Sequence, residues 1–343
     1  MDQPRVRTCL IIGATGGFGG NAAAALARRG WKVKDLARDP ATARAKAPAA
    51  PVEFIAGDAM VREDVIAAAT GADLIVHAAN PPGYRNWAGT VLPMIENTIT
   101  AARLSGARIV LPGNVYNYAP GAGAAIAEDA AQAPATRKGA IRVAMERALE
   151  QASHQGVKSL ILRAGDFYGP GQPFGLFSWL LVRSGGRPLA LMRPGPADVR
   201  HAFAYLPDLA ETLARLAERE AELPVFARFH FAGDFVTPAQ LAAAVRGALS
   251  RPRLPVVPFP WPLVRVGGLA DETLRELWEM RYLWRTEIGL DGSRLAAFVG
   301  EVPATPLEAA VGAALADLPK DRAASASRSR EAPWNTSDLA RPA

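Results

Sequence analysis

Short apolar runs recur along the chain at residues 6–12, 31–37, 52–56, 74–78, 108–111, 159–163 and 228–231. Runs of this length suit the strands of a largely buried sheet. Helical stretches fill the intervals at 18–29, 62–69, 90–104 and 140–155. Such alternation predicts a parallel sheet covered by helices on both sides, a doubly wound α/β fold that binds ligands at the carboxyl ends of its strands. After Gly169-Pro170-Gly171 the pattern changes: residues 174–200 are rich in Phe, Trp, Leu and Pro, and 255–262 are proline-dense. These segments predict a smaller, partly irregular lobe, with 206–218 a helix returning to the main sheet. The Ser/Ala/Arg-rich end from 321 to 343 is expected to be disordered.

Between the first run and the first helix lies Gly13-Ala14-Thr15-Gly16-Gly17-Phe18-Gly19-Gly20. A buried strand that turns through glycines into a helix builds a phosphate cradle. The first glycine permits the tight turn, the second admits a pyrophosphate to the backbone, and the third lets helix and strand pack closely. Amides and dipole at the helix start then favour negative charge. The spacing, Gly13-x-x-Gly16-x-x-Gly19, is one residue wider than G-x-G-x-x-G. This turn predicts dinucleotide binding.

Composition narrows the remaining classes. A chain of 343 residues, half of them hydrophobic, can bury a large core. Its single cysteine, Cys9, lies inside the first strand and reads as a small core residue. No apolar run reaches the length of about 18 to 20 residues that a membrane helix requires, and the start lacks a signal-peptide pattern. A soluble cytoplasmic protein is expected. The net charge is +6, yet 33 of the 39 basic residues are arginines scattered among alanines, with no basic helix bearing interleaved aromatics. That distribution fits a compositional bias towards Arg and Ala better than nucleic-acid binding.

Two later phrases join the glycine turn: Leu162-Arg163-Ala-Gly-Asp-Phe-Tyr168-Gly169-Pro170-Gly171 and Arg200-His-Ala-Phe-Ala-Tyr-Leu-Pro-Asp208. Together they resemble the extended short-chain dehydrogenase/reductase superfamily, in its nucleotide-sugar epimerase/dehydratase branch, over roughly residues 5 to 316. The resemblance implies a Rossmann-type sheet of about seven strands with a C-terminal substrate lobe. It divides the chain into an NAD(P)-binding domain at 1–172, to which 201–235 return, a substrate lobe at 173–200 and 236–318, and a tail at 319–343. Pairing of long helices across a two-fold, usual in this superfamily, makes a homodimer possible. The expected partner otherwise is a small-molecule substrate, with no nucleic acid and no membrane.

The cofactor is argued from residue chemistry. An NAD ribose is usually held by Asp or Glu at the end of the second strand. Here Val33-Lys34-Asp35-Leu36-Ala37 ends at Arg38, and strand alternation makes Asp35 a doubtful candidate for the cofactor side. Arg38 would attract the extra phosphate of NADP through charged hydrogen bonds worth about 1.5 to 3 kcal/mol. NADP is therefore favoured, with NAD the alternative and a solvated surface arginine the bland reading. Cofactor contacts are expected from Gly13, Thr15, Gly16, Gly17, Phe18, Gly19 and Arg38. By resemblance Asp58 meets the adenine, or is merely a turn residue, and Ala78-Ala79-Asn80 lie at the riboses.

The superfamily's chemistry uses a tyrosine, a lysine four residues on, and a Ser/Thr. Anchored on Glu146, those positions fall on Lys138, Arg142 and Pro112. All three standard groups are missing, and arginine cannot replace the proton donor. Lys138 could, with its pKa lowered by Arg137, Arg142 and a helix N-terminus; the competing role is contact with cofactor ribose or phosphate. Tyr116, Tyr118 and Tyr168 are alternative phenols, Tyr116 lying near the expected nicotinamide or packing there. Asn97 matches a helix asparagine that supports a water network in the superfamily. His77 reads as a core histidine, His201 sits in a loop that could face substrate, and Asp208 reads as the cap of a helix from Leu209. Scattered histidines offer no metal set. These features predict an NAD(P)-dependent oxidoreductase or epimerase/dehydratase-like enzyme acting on a small carbonyl or hydroxyl compound. The alternative is a non-catalytic NADP(H) sensor or scaffold.

Overall fold

The computed structural model describes residues 5–47, 50–80, 86–172, 176–184 and 187–318. Seven parallel strands form the central sheet: β1 (Thr8–Ile12), β2 (Lys32–Ala37), β3 (Glu53–Ala56), β4 (Leu74–His77), β5 (Arg108–Gly113), and then, past the short β6 (Gly123–Ile126), β7 (Ser159–Arg163), with β12 (Phe226–His230) at the far edge. Their spatial order is β3-β2-β1-β4-β5-β7-β12, so the direction of winding reverses between β1 and β4. The glycine turn leaves β1 at that reversal, where doubly wound sheets open a crevice.

Helices cover both faces. One carries α1 (Gly17–Arg28) and α7 (Leu206–Glu218), packed on each other through Ala22, Ala23, Leu26, Leu209, Leu213 and Leu216. Between them in sequence come α2 (Pro40–Lys46), α3 (Arg62–Ala68), α4 (Trp87–Ser105), α5 (Arg137–Ser153) and the single-turn α6 (Leu176–Leu180). Of these, α3, α4 and α5 cover the opposite face around Ile95, Ile99, Met145 and Leu149. A third apolar cluster lies beyond the strand ends, around Tyr168, Phe177, Leu180, Phe203, Leu283 and Trp284. It holds three small sheets: β8 (Asp166–Tyr168) with β11 (His201–Tyr205) and β13 (Asp234–Val236); β9 (Leu181–Ser184) with β10 (Arg187–Arg193) and β14 (Val256–Pro258); and β6 with β15 (Ile288–Leu290). The helices α8 (Pro238–Ala248), α9 (Trp261–Gly267), α10 (Glu272–Met280), α11 (Ser293–Val299) and α12 (Leu307–Ala316) complete the chain.

The strands fall within two residues of their expected bounds, and α7 coincides with its expectation. Two helices start three residues early: α5 at Arg137, because Thr136 caps it by accepting from Gly139 N at 3.1 Å, and α4 at Trp87. Asp208 is not a cap. Tyr205 holds that position, and the Asp208 carboxylate accepts from Thr305 N and Oγ1 at 2.6 and 2.8 Å. His201 lies in β11, not in a loop. The expected disordered tail falls outside the described residues.

Candidate active site

The turn after β1 has the geometry a diphosphate needs. Gly13 sits at φ +106, open to glycine at little cost, and a Cβ there would press on the Ala78–Ala79 backbone at 3.1 Å. A Cβ at Gly19 would lie 2.2 Å from Gly13 O, so only glycine lets α1 pack this tightly on the turn. Thr15 and Gly16 are exposed, while the Phe18 ring turns inward to Phe167, 6.0 Å away between centroids. The first turn of α1 carries no acidic residue, and its N-cap, Gly16, supplies no side-chain hydrogen bond. The helix therefore starts with amides for an anion and no acidic side chain in its own first turn, so the turn fits a dinucleotide.

Around it, Ala37 ends β2 without a carboxylate and exposed Arg38 follows. Asp35 is not on the ribose side. It is buried beneath the turn, where its Oδ1 accepts from Gly13 N at 3.0 Å and Ala14 N at 2.9 Å. Burial pushes its carboxyl up to about 6, against the pull of those two amides. Asp58 Oδ1 accepts from Met60 N at 2.9 Å, an Asx turn. Ala78 and Ala79 are half-buried against Gly13, and exposed Asn80 accepts from Trp87 Nε1 at 3.1 Å. Asn97 donates to Ala59 O at 3.0 Å, tying α4 to the loop after β3.

The first turn of α5 packs directly on the loop after β5, for a Cβ at Gly139 would lie 2.2 Å from Tyr116 O. The turn that carries Lys138 thus sits against the loop that carries Tyr116. Lys138 is buried, its Nζ 4.0 Å from Glu276 Oε2 on α10. Its ammonium is lowered to about 8, but by burial; no arginine contributes, and Glu276 and Glu279 pull the other way. Glu276 also accepts from Arg137 at 2.7 Å. Arg142 lies one turn on, its guanidinium 5.0 Å from the Trp87 ring centroid. Burial, and after it the charge of Arg142, holds His77 down to about 3. His77 Nδ1 donates to Thr98 Oγ1 at 2.8 Å, since that hydroxyl already donates to Met94 O. Pro112 lies within β5 opposite Leu162. A pocket of about 230 Å³ opens beside the start of α5, lined by Pro120, Ala135, Thr136, Glu279, Tyr282 and the arginines Arg281 and Arg285.

Two polar groupings escaped the sequence reading. Arg163, at the end of β7, is buried with Glu146 of α5 and contacts it at 2.6 and 2.8 Å; Asn117, Gln132 and His230 join them. The second joins His201 to Asp166 at 2.9 Å, with the imidazole stacked 3.9 Å from Trp284. A polar residue closing an apolar run was the only sequence signal for Arg163. Among the described residues no cluster of His, Cys, Asp and Glu could hold a metal ion, and no helix is long and apolar enough to cross a membrane.

Residues 9–229 match the family described as NAD dependent epimerase/dehydratase, and the chain belongs to it. Solved structures share the fold at low identity. The Bordetella bronchiseptica enzyme WbmH, in complex with NAD+, is 22% identical with a TM-score of 0.67, over 91% of this chain and 98% of that one. A UDP-galactose 4-epimerase is 18% identical (TM-score 0.69, 90% and 98%), and the UDP-N-acetylglucosamine 4-epimerase of Bacillus cereus is 17% identical (0.69, 89% and 94%). No curated protein matches the chain.

Proposed function

We propose that this protein is a nicotinamide-dinucleotide-dependent oxidoreductase or epimerase/dehydratase-like enzyme that acts on the carbonyl or hydroxyl of a small molecule and prefers NADP(H). The observation that carries the reading is the uncapped glycine turn at the crevice of the sheet. In this reading the amides of Thr15, Gly17, Phe18 and Gly19 hold the diphosphate, while Gly13 and Gly16, whose own amides are bonded to Asp35 and to Gly13 O, shape the turn that admits it; Asp58 meets the adenine, and Ala78, Ala79 and Asn80 line the riboses. Arg38 takes the 2′-phosphate, a role supported by the missing carboxylate at Ala37. When bound, the nicotinamide ring donates or withdraws the hydride. The segments 173–200 and 236–318 form the substrate lobe over it.

Fluorescence titration tests the cofactor assignment. NADPH is expected to bind more tightly than NADH, and Arg38→Ala to weaken NADPH by about ten- to two-hundred-fold while sparing NADH. Tighter binding of NADH to the wild type would overturn it. Turnover is then sought with pooled aldehydes, ketones and nucleotide sugars, the last because MoeE5, a structural neighbour, was solved with UDP-glucuronic acid and NAD.

Lys138 is assigned to cofactor ribose or phosphate, with Arg142 and Tyr116 flanking the same turn of α5. Lys138→Met is expected to raise the Kd for NADPH about tenfold and to leave the shape of the kcat–pH profile unaltered. Loss of an inflection near 8 in that variant would instead make Lys138 the proton donor. The missing phenol at 138 supports a second reading, a non-catalytic NADP(H) sensor or scaffold; binding without turnover across all the pools would select it.

A further inference from the structure

We propose that Asp166 and His201 form the proton-exchanging pair of this site, with Asp166 the group that touches substrate; the assignment rests on the oxidoreductase reading above. The pair lies at the carboxyl edge of the sheet, since Asp166 opens β8 just beyond the end of β7, and β11, which His201 opens, runs beside β8.

The hydrogen bonds leave little freedom in where the proton goes. His201 Nδ1 is 2.8 Å from the Leu283 carbonyl oxygen, which can only accept, so Nδ1 carries hydrogen. Nε2 is 2.9 Å from Asp166 Oδ2. A neutral imidazole would then present a lone pair to a carboxylate oxygen at that distance, two acceptors in repulsion. A proton must sit between them, making the pair either imidazolium and carboxylate or imidazole and carboxylic acid. The ring cannot turn away. It lies parallel to Trp284, 3.9 Å between centroids at 2°, and Phe203 packs beside both rings, 4.7 Å from His201 and 5.8 Å from Trp284. The aromatic face also favours the charged form.

Access is asymmetric. His201 is buried, whereas the Asp166 side chain keeps 22% of its exposure. The Asp166 charge also acts on Tyr282, whose phenol is raised by burial first and Asp166 second. Tyr282 lines the pocket at the start of α5, beside Thr136. Asp166 is thus the member of the pair that a substrate can reach, with His201 behind it. The charged groups on the flanking segments, Arg200 and Glu287, are paired to each other at 2.8 and 3.0 Å and compete for neither.

This supplies what positions 138, 142 and 112 lack. As the substrate carbonyl carbon gains a hydride from the reduced cofactor, its π pair moves to oxygen. That oxygen forms an O–H bond with the proton held between Asp166 and His201, leaving carboxylate and neutral imidazole; water reloads the pair. Alcohol oxidation runs the same transfer backwards.

NMR of the full chain without cofactor, 15N-labelled at histidine and 13C-labelled at aspartate, tests the stored proton at pH 8. Either a doubly protonated His201 ring or a protonated Asp166 carboxyl is expected; a singly protonated ring beside an ionised Asp166 would overturn the pair. Asp166→Asn can donate its amide N–H to Nε2 of the neutral ring, which keeps the hydrogen bond and the fold. It is expected to lower kcat by about 10²- to 10⁴-fold with the Kd for NADPH unchanged, and Asp166→Glu to recover part of the loss. A kcat within about threefold of wild type in Asp166→Asn would also overturn the assignment. Failure of the functional reading is distinct: wild type would then oxidise no NADPH with any pool, removing the catalytic role whatever the NMR shows.

Discussion

Glu146→Ala is expected to destabilise the protein by about 3 to 5 kcal/mol, the loss that follows when one partner of a buried ion pair is removed. Glu146 is buried, and every group around its carboxylate is a donor: Arg163 Nη2 at 2.6 and 2.8 Å, Asn117 Nδ2 at 3.0 Å, Gln132 Nε2 at 2.8 Å, with Arg228 Nη2 at 3.7 Å. Without it Arg163 keeps only neutral partners, the Asn114 carbonyl and His230 Nε2. His230 cannot take up the role of counter-ion. Its Nδ1 donates to Ile126 O at 2.8 Å, and burial together with Arg163 keeps the ring neutral, held down to about 3. Thermal unfolding by circular dichroism should show a fall in Tm on the order of 10 °C. The double variant Glu146→Met with Arg163→Met should regain much of that, because an apolar pair strands no charge. A loss below about 1 kcal/mol in the single variant would mean that water reaches the pair. The consequence extends to the site, since Asn114, Asn117 and Gln132 belong to the connection that carries Tyr116 to the first turn of α5.

The two kinds of buried element differ in how far the sequence reveals them. Strands such as Leu74–His77 and Ser159–Arg163 are buried at every position, so composition alone marks them. Helix α7 is amphipathic over its whole length and its bounds follow from that pattern. The strands β8, β11 and β13 are three to five residues long and exist only because distant segments meet, Phe203 beside Asp166 and Ala202 beside Phe235. Their partners, and hence the meeting of His201 with Asp166, are set by tertiary packing that no local period encodes. The same holds for Lys138. Charged neighbours along its own helix suggested why its pKa falls, whereas the cause is burial against α10, far along the chain. The glycine turn was legible because its constraints are local: a positive φ at Gly13 and a close helix approach at Gly19. Alternation along β2 already turned Asp35 from the ribose side, but its place under the turn was not legible, because it depends on the register of β2 against β1, Ile11 opposite Asp35.

That placement gives the second large expected effect, Asp35→Asn, which should stabilise the protein at neutral pH. The folded pKa of Asp35 is raised from 3.8 to about 6. A carboxyl raised on folding favours the folded state while protonated, below its unfolded pKa. That contribution is lost as pH climbs through the folded value, so the loss falls between 3.8 and about 6 and is complete above it. A shift of this size corresponds to about 3 kcal/mol. Both amides, Gly13 N and Ala14 N, donate to the same oxygen, Oδ1. Asparagine can keep both bonds through its carbonyl while removing the buried charge. Urea unfolding at a series of pH values should show the variant more stable than wild type by up to about 3 kcal/mol at pH 8, the difference vanishing near pH 4. Asp35→Ala removes the acceptor as well and leaves two amides unpaired, each costing about 1 to 3 kcal/mol, so it should be less stable than the asparagine variant at every pH. NADPH should bind Asp35→Asn at least as tightly as wild type, because a negative charge beneath a diphosphate-binding turn opposes the ligand. If Asp35→Asn proved less stable than wild type at pH 8, the carboxylate would be a support the turn requires rather than a charge it tolerates.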